Sequence, residues 1–186
     1  MKKIILALTI IISYPYYIYA EGLVYKDTRF DGNNLLITLS VVNIKEKDIV
    51  EALKRGLEGQ VTYTVEIVED STLPLFPKTI IKSLTVKRKI RFDFFSKAYI
   101  VTGSNIPSPY YSEDALLDDV FYSKKIIFEN IYQYRKLNYS IRTRVTFTSV
   151  KLYFPLNFIF NYVIGIWDFD TGWIYGPKLT ILPNTE

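Results

Sequence analysis

Residues 80–95 read IIKSLTVKRKIRFDFF, and this stretch decides the fold class. Leu84, Val86, Ile90, Phe92 and Phe94 fall at one parity, while Thr85, Lys87, Lys89, Arg91 and Asp93 fall at the other. A period of two means a pleated strand with one dry and one wet face, because successive Cβ atoms point to opposite sides. Ser96-Lys97 then offers a turn into a returning strand, Ala98 to Thr102. On the N-terminal side, Pro74 and Pro77 make Asp70 to Lys78 a loop. Before it, Gln60 to Glu69 alternates as cleanly, with Val61, Tyr63, Val65 and Ile67 opposed to Thr62, Thr64 and Glu66.

The pattern extends outward from there. Leu23 to Phe30 and Leu35 to Val42 read as strands joined by Asp31-Gly32-Asn33-Asn34, which has the chemistry of a hairpin turn. Between Lys47 and Leu57 the period changes. Ile49, Ala52, Leu53 and Leu57 recur at helical spacing, and Gly59 is expected to stop the helix. Ser104 to Ser112, with Pro107 and Pro109, reads as a loop. Ser112 is placed to cap a helix opening with Glu113 and Asp114 and running to about Tyr122, with Leu116, Val120 and Phe121 inward. Ile126 to Tyr134 is a weaker strand signal. Tyr139, Ile141, Val145 and Phe147 alternate with Ser140, Arg142, Arg144 and Thr146 in a strong strand reaching Leu152. Ile166 to Phe169 and Trp173 to Tyr175 are short strands around Asp170-Thr171-Gly172. The expectation is a mainly β protein. Its form is a two-layer antiparallel β-sandwich, immunoglobulin-like, of about seven strands with two short helices. A partly closed barrel is the alternative.

The N-terminus has the order of a secretory signal: Lys2 and Lys3, an apolar run from Ile4 to Ile12, and Ala20 before Glu21. Residues 1–20 are therefore expected to be a signal peptide and 21–186 a single domain. An uncleaved inner-membrane anchor is the other reading, since residues 4–20 are uncharged but at the short edge of what spans a bilayer. A periplasmic or otherwise exported location follows. The whole chain has 23 basic and 19 acidic residues. Without Lys2 and Lys3 the balance is 21 to 19, too even to imply a nucleic-acid partner.

Histidine and cysteine are both absent. Their absence removes the usual general base, the usual thiol chemistry and ordinary zinc or copper sites. No cofactor is expected, and an enzyme would have to work with carboxylates or a Ser–Lys pair. Asp168 and Asp170 beside Gly172 resemble part of a calcium loop, but Pro177 to Pro183 supplies no downstream acid, so a β-turn is the simpler reading. Glu113, Asp114, Asp118 and Asp119 form an acidic helix patch, read as helix-start electrostatics on a solvated face. Ser96-Lys97 and Ser123-Lys124 lack the spacing of a catalytic pair and read as surface turns.

Two features point to binding. The tail concentrates Phe154, Phe158, Phe160, Trp167 and Trp173, with Asp168 and Asp170 among them, as core or as an exposed patch. Lys87, Lys89 and Arg91 form a cationic row, either a solvated anti-aggregation face or a stripe for an anionic surface.

The order of segments carries a resemblance. An apolar strand precedes Glu51-Ala52-Leu53-Lys54-Arg55-Gly56; the long basic and aromatic strand turns into Tyr99-Ile100-Val101; Phe154-Pro155-Leu156 follows later; and the tail holds Trp167-Asp168-Phe169-Asp170-Thr171-Gly172-Trp173. From Gly22 to Trp173 this resembles the exported family known as domain of unknown function 4390. The Phe-Pro pair is a departure, since the family usually has Leu-Pro there. The resemblance implies an envelope location and one domain, and brings no catalytic residues. The combined expectation is a non-enzymatic binding or structural module contacting an envelope protein or lipid. A carrier of apolar ligand comes second, and a carboxylate-dependent hydrolase third.

Overall fold

The computed structural model describes residues 22–69, 79–103, 107–131, 139–149 and 168–179. In chain order the elements are β1 (Gly22–Asp31), β2 (Asn34–Val42), α1 (Glu46–Lys54), β3 (Gly59–Glu69), β4 (Thr79–Asp93), β5 (Ala98–Thr102) and β6 (Ser108–Tyr110). Then come α2 (Glu113–Leu117), a π-helical turn (Asp118–Tyr122), β7 (Lys124–Phe128), β8 (Tyr139–Ser149), β9 (Phe169–Asp170) and β10 (Ile174–Leu179). All pairings are antiparallel. A small sheet has the order β1-β2-β7, and a large one β10-β8-β3-β4-β5-β6, with β9 also on β8. The architecture is therefore sandwich-like, and the described strands close no barrel.

Alternation explains the core. Leu35, Ile37, Leu39 and Val41 of β2 are fully buried, as are Val61, Tyr63, Val65 and Ile67 of β3. They meet Ile141, Val145 and Phe147 of β8 in one hydrophobic cluster. Phe147, Phe121 and Phe169 lie with ring centroids 5.7–6.2 Å apart at one end of it. Burial of such side chains contributes roughly 1.5–3 kcal/mol each and drives the two sheets together.

Tyr25 stitches the sheets. Its hydroxyl donates to Thr143 Oγ1 at 2.7 Å and lies 3.1 Å from the Ile174 carbonyl. Burial raises its pKa to about 12 against the opposing effect of its hydrogen bond with Thr143, so the donor persists far above neutrality. A Cβ on Gly176 would stand 2.6 Å from the Tyr25 ring, so only glycine lets the ring in. Because Thr143 is fully buried, Tyr25→Phe is expected to cost about 1 kcal/mol in urea denaturation. An unchanged midpoint would show the stitch to be idle.

Several expectations need correction. Helix α1 ends earlier than Leu57, and Gly56, with φ +88°, is its stop. Gly59 instead opens β3, where a Cβ would stand 2.5 Å from the Phe147 ring. The stretch 104–112 is not all loop: Ser108–Tyr110 forms β6, and Pro109 is tolerated because β6 is the sheet's edge. The weak strand near Ile126 covers only Lys124–Phe128. The late strands are Phe169–Asp170 and Ile174–Leu179. The described strands number more than seven; of them only β6, three residues long, had no strand signal, since so short a piece shows no period. Ser112 does cap α2, accepting from the Ala115 amide at 3.2 Å. Ser123 N–H then bonds the Asp118 carbonyl five residues back, which makes the following turn π rather than α.

Candidate interaction surface

Sheet pairing fixes what the outer face of the large sheet presents. In β4, Lys87 pairs with Thr62, Lys89 with Gln60 on one side and Thr102 on the other, and Arg91 with Ile100. In β8, Arg144 faces Thr64, Arg142 faces Glu66, and Thr146 faces Thr62. Residues opposite one another across strands stand about 5 Å apart. The result is a hydroxyl-rich face carrying five cations, Lys87, Lys89, Arg91, Arg142 and Arg144.

Two of those cations are matched. Arg142 donates through Nε to Glu66 at 2.7 Å, and its guanidinium lies 4.5 Å from the Trp173 ring. Glu66 is buried, so this pair is a structural clamp with an aromatic lid. Arg144 holds Asp170 with two nitrogens. That pairing, helped by the Gly172 amide, keeps the Asp170 carboxyl below its ordinary range against the effect of burial. Lys87, Lys89 and Arg91 are exposed, and no ion pair within 4 Å involves them among the described residues.

The remaining sequence candidates divide clearly. Asp168 accepts from the Ser149 amide at 2.6 Å, and Asp170 accepts from the Gly172 amide at 2.9 Å. Thr171 exchanges two hydrogen bonds with Val145, which pins the turn to β8. These carboxylates thus hold a turn. Among the described residues no three His, Cys, Asp or Glu side chains converge. Trp173 is half-exposed over Arg142, whereas Phe169 is core. Phe154, Phe158, Phe160 and Trp167 lie outside the described residues. So does the N-terminal segment, and among the described residues no helix is long and apolar enough to cross a membrane.

The acidic helix patch is not uniformly solvated. Glu113 pairs with Lys54 across a groove of about 350 Å³ between α1 and α2, and Tyr99 O–H donates to it at 3.3 Å. Asp119 points inward, where it takes hydrogen bonds from Arg88 Nη1 at 2.5 Å and Tyr110 O–H at 2.6 Å. Arg88 lies at the inward parity of β4 and keeps 9% of its side chain exposed. Tyr63 O–H satisfies the nearby Val120 carbonyl, which the end of the helix leaves free. Burial pushes the Asp119 carboxyl up, but Tyr110 and Arg88 together outweigh it and hold it below the ordinary range. Lys124 beside them is pushed down, first by burial and then by Arg88. This network was missed because Arg88 sits inside a run of surface-like cations.

The turn expected at Ser96-Lys97 does join β4 to β5, but its bracing and the exposure of its aromatics were missed. Asp93 takes the Phe95 amide at 3.0 Å and the Ser96 hydroxyl at 2.9 Å. Lys97 adopts φ +51°, closing the loop. This braced turn leaves Phe94 59% and Phe95 101% exposed.

Compared with family models, curated proteins and solved structures, the chain shows no match.

Proposed function

We propose that the protein is a non-enzymatic docking module of the bacterial envelope, using the outer face of the large sheet against an anionic component. The observation that carries this reading is the exposed cationic row Lys87, Lys89 and Arg91, which has no ion pair within 4 Å among the described residues and stands beside the hydroxyls of Thr62 and Thr102. The five cations outnumber the carboxylates there: Glu66 and Asp170 are held by Arg142 and Arg144, and Asp93, at the parity of Arg91, braces the following turn. Flat, positively biased faces raise encounter rates and set salt dependence more than they set affinity. The buried Glu66 and the inward-pointing Asp119 are held in ion pairs and hydrogen bonds, which favours binding over carboxylate catalysis. The export signal and the resemblance to the exported family support the location.

The triple variant Lys87→Glu, Lys89→Glu, Arg91→Glu tests it. Its stability should stay within about 1 kcal/mol of the parent, since these side chains are exposed. In cells it should shift from the envelope-bound to the freely extracted fraction, and the parent should be released by salt where the variant is indifferent. An unchanged distribution would remove the sheet face from the account.

A further inference from the structure

Resting on the docking reading, we infer that the β4–β5 turn is a membrane-seating tip: Phe94 and Phe95 enter the interfacial layer of an anionic phospholipid bilayer while Arg91 and Lys97 contact its phosphates. An aromatic row leads to that tip. Tyr99 is buried, Phe92 packs edge-on against it at 5.0 Å, and Phe94 packs edge-on against Phe92 at 5.3 Å. Exposure rises along the row until Phe95, which touches nothing that hides it. Tyr111, 76% exposed, follows β6 on the same end, because Tyr110 pairs with Tyr99 and the next residue lies toward the turn.

Folding does not explain a phenylalanine here. A braced turn of this shape is served as well by serine or asparagine. A fully exposed aromatic on a rigid, projecting tip fits a fluid apolar layer, which needs no matching pocket. A folded protein partner would need a cavity shaped to receive it. The charges agree with the choice of an anionic layer. Arg91 and Lys97 are exposed and form no ion pair among the described residues, and Lys89 continues the row away from the tip. Glu113 is paired with Lys54 and Glu51 with Arg55 at 3.1 Å; Asp93, braced by the Phe95 amide and the Ser96 hydroxyl, keeps its charge beside Arg91, and Lys97 and Lys89 leave the balance positive. Basic residues close to an anionic leaflet each strengthen binding about fivefold, and salt screens the effect.

The chain has no cysteine, so Ser96→Cys in the full-length protein takes a single environment-sensitive fluorophore at the tip. The probe reads the tip alone, whatever the N-terminal segment does. Vesicles of phosphatidylglycerol and phosphatidylcholine in equal parts should shift the emission to the blue. Pure phosphatidylcholine should give little shift. Adding Phe95→Ser should abolish the response without lowering the denaturation midpoint, since that ring is fully exposed. Adding Arg91→Glu and Lys97→Glu should weaken the response at least tenfold in lipid concentration. A tip emission indifferent to anionic vesicles, or one still shifted in the Phe95→Ser protein, would overturn the inference. So would photocrosslinking from position 96 to one envelope protein with no vesicle response. If the tip fails while the Lys87, Lys89, Arg91 triple variant still leaves the envelope fraction, the broader docking reading survives without it.

Discussion

Asp119→Ala should lower stability by about 2–4 kcal/mol, more than removal of its partner does. The asymmetry follows from exposure. Arg88 keeps 9% of its side chain in contact with water and Asp119 keeps 39%. Deleting the acid leaves a guanidinium that cannot be deprotonated and is nearly cut off from water, with the Asp119 backbone carbonyl at 3.4 Å as a poor substitute acceptor. Deleting the arginine leaves a carboxylate that water can still reach, so Arg88→Met should cost less, about 1–2 kcal/mol. Because Asp119 is partly exposed, the pair costs less to break than a fully buried one. Urea denaturation of the two single variants and the double variant gives both costs and their coupling. An Asp119→Ala protein within 0.5 kcal/mol of the parent, an order-of-magnitude threshold for an ordinary surface change, would show that the pair stabilises nothing.

The same carboxyl gives a pH signature. Its folded pKa lies below the ordinary value, so its contribution is present above the unfolded pKa of about 4 and fades as pH falls through the folded value. The stability difference between the parent and Asp119→Asn should therefore be flat above about pH 5 and shrink below about pH 4. Asp93 and Asp170 also lie low, held by turn hydrogen bonds and by Arg144, so both proteins will share some acid sensitivity. Only the difference between them reports on Asp119.

Gly103→Ala should be as damaging, at roughly 3 kcal/mol or more. Gly103 closes β5 at φ +126°, a backbone conformation that side chains strongly disfavour. A Cβ there would stand 2.1 Å from the Lys87 carbonyl oxygen and 3.0 Å from Arg88 Cα. Those atoms are backbone of β4, so no side chain can swing aside. The consequence reaches the surface, because pushing β4 outward at Lys87 and Arg88 disturbs the cationic row and the Arg88–Asp119 pair together. Thermal unfolding of this variant beside Gly32→Ala makes the comparison. Gly32 also has positive φ, but a Cβ there meets nothing, so its cost should be the backbone part alone, about 1 kcal/mol. Equal losses would mean that the close approach of Gly103 to β4 carries no weight.

Much of the architecture was legible because the central strands alternate. β2, β3 and β8 bury the side chains their period points inward, and the Asp31-Gly32-Asn33-Asn34 and Ser96-Lys97 turns fall where their residues place them. Boundaries were less legible where one signal hid another. Pro107 and Pro109 mark a loop and equally suit an edge strand, so β6 escaped. Gly56 and Gly59 both punctuate, and only the observed φ separates the helix stop from the close approach to Phe147.

The surface was legible in part. Lys87, Lys89 and Arg91 share a face by parity, and they do stand exposed together. Arg88 between them has the same chemistry and the opposite fate, since its partner Asp119 comes from a helix 31 residues away. No local pattern announces such a pair. The exposure of Phe95 was hidden for the opposite reason. Aromatic residues after a long strand read as core, and only a turn clamped by Asp93 points them out.

The stitch at Tyr25 also bears on how the chain is made. Its hydroxyl reaches Ile174, 149 residues later. During synthesis the first strand therefore has its hairpin neighbour long before it meets the last one. Contacts so distant in sequence slow folding, because the chain must close a large loop before gaining from them. A chain leaving the ribosome would carry one sheet half-finished until β8 and then β10 emerge, and the Tyr25 stitch closes last.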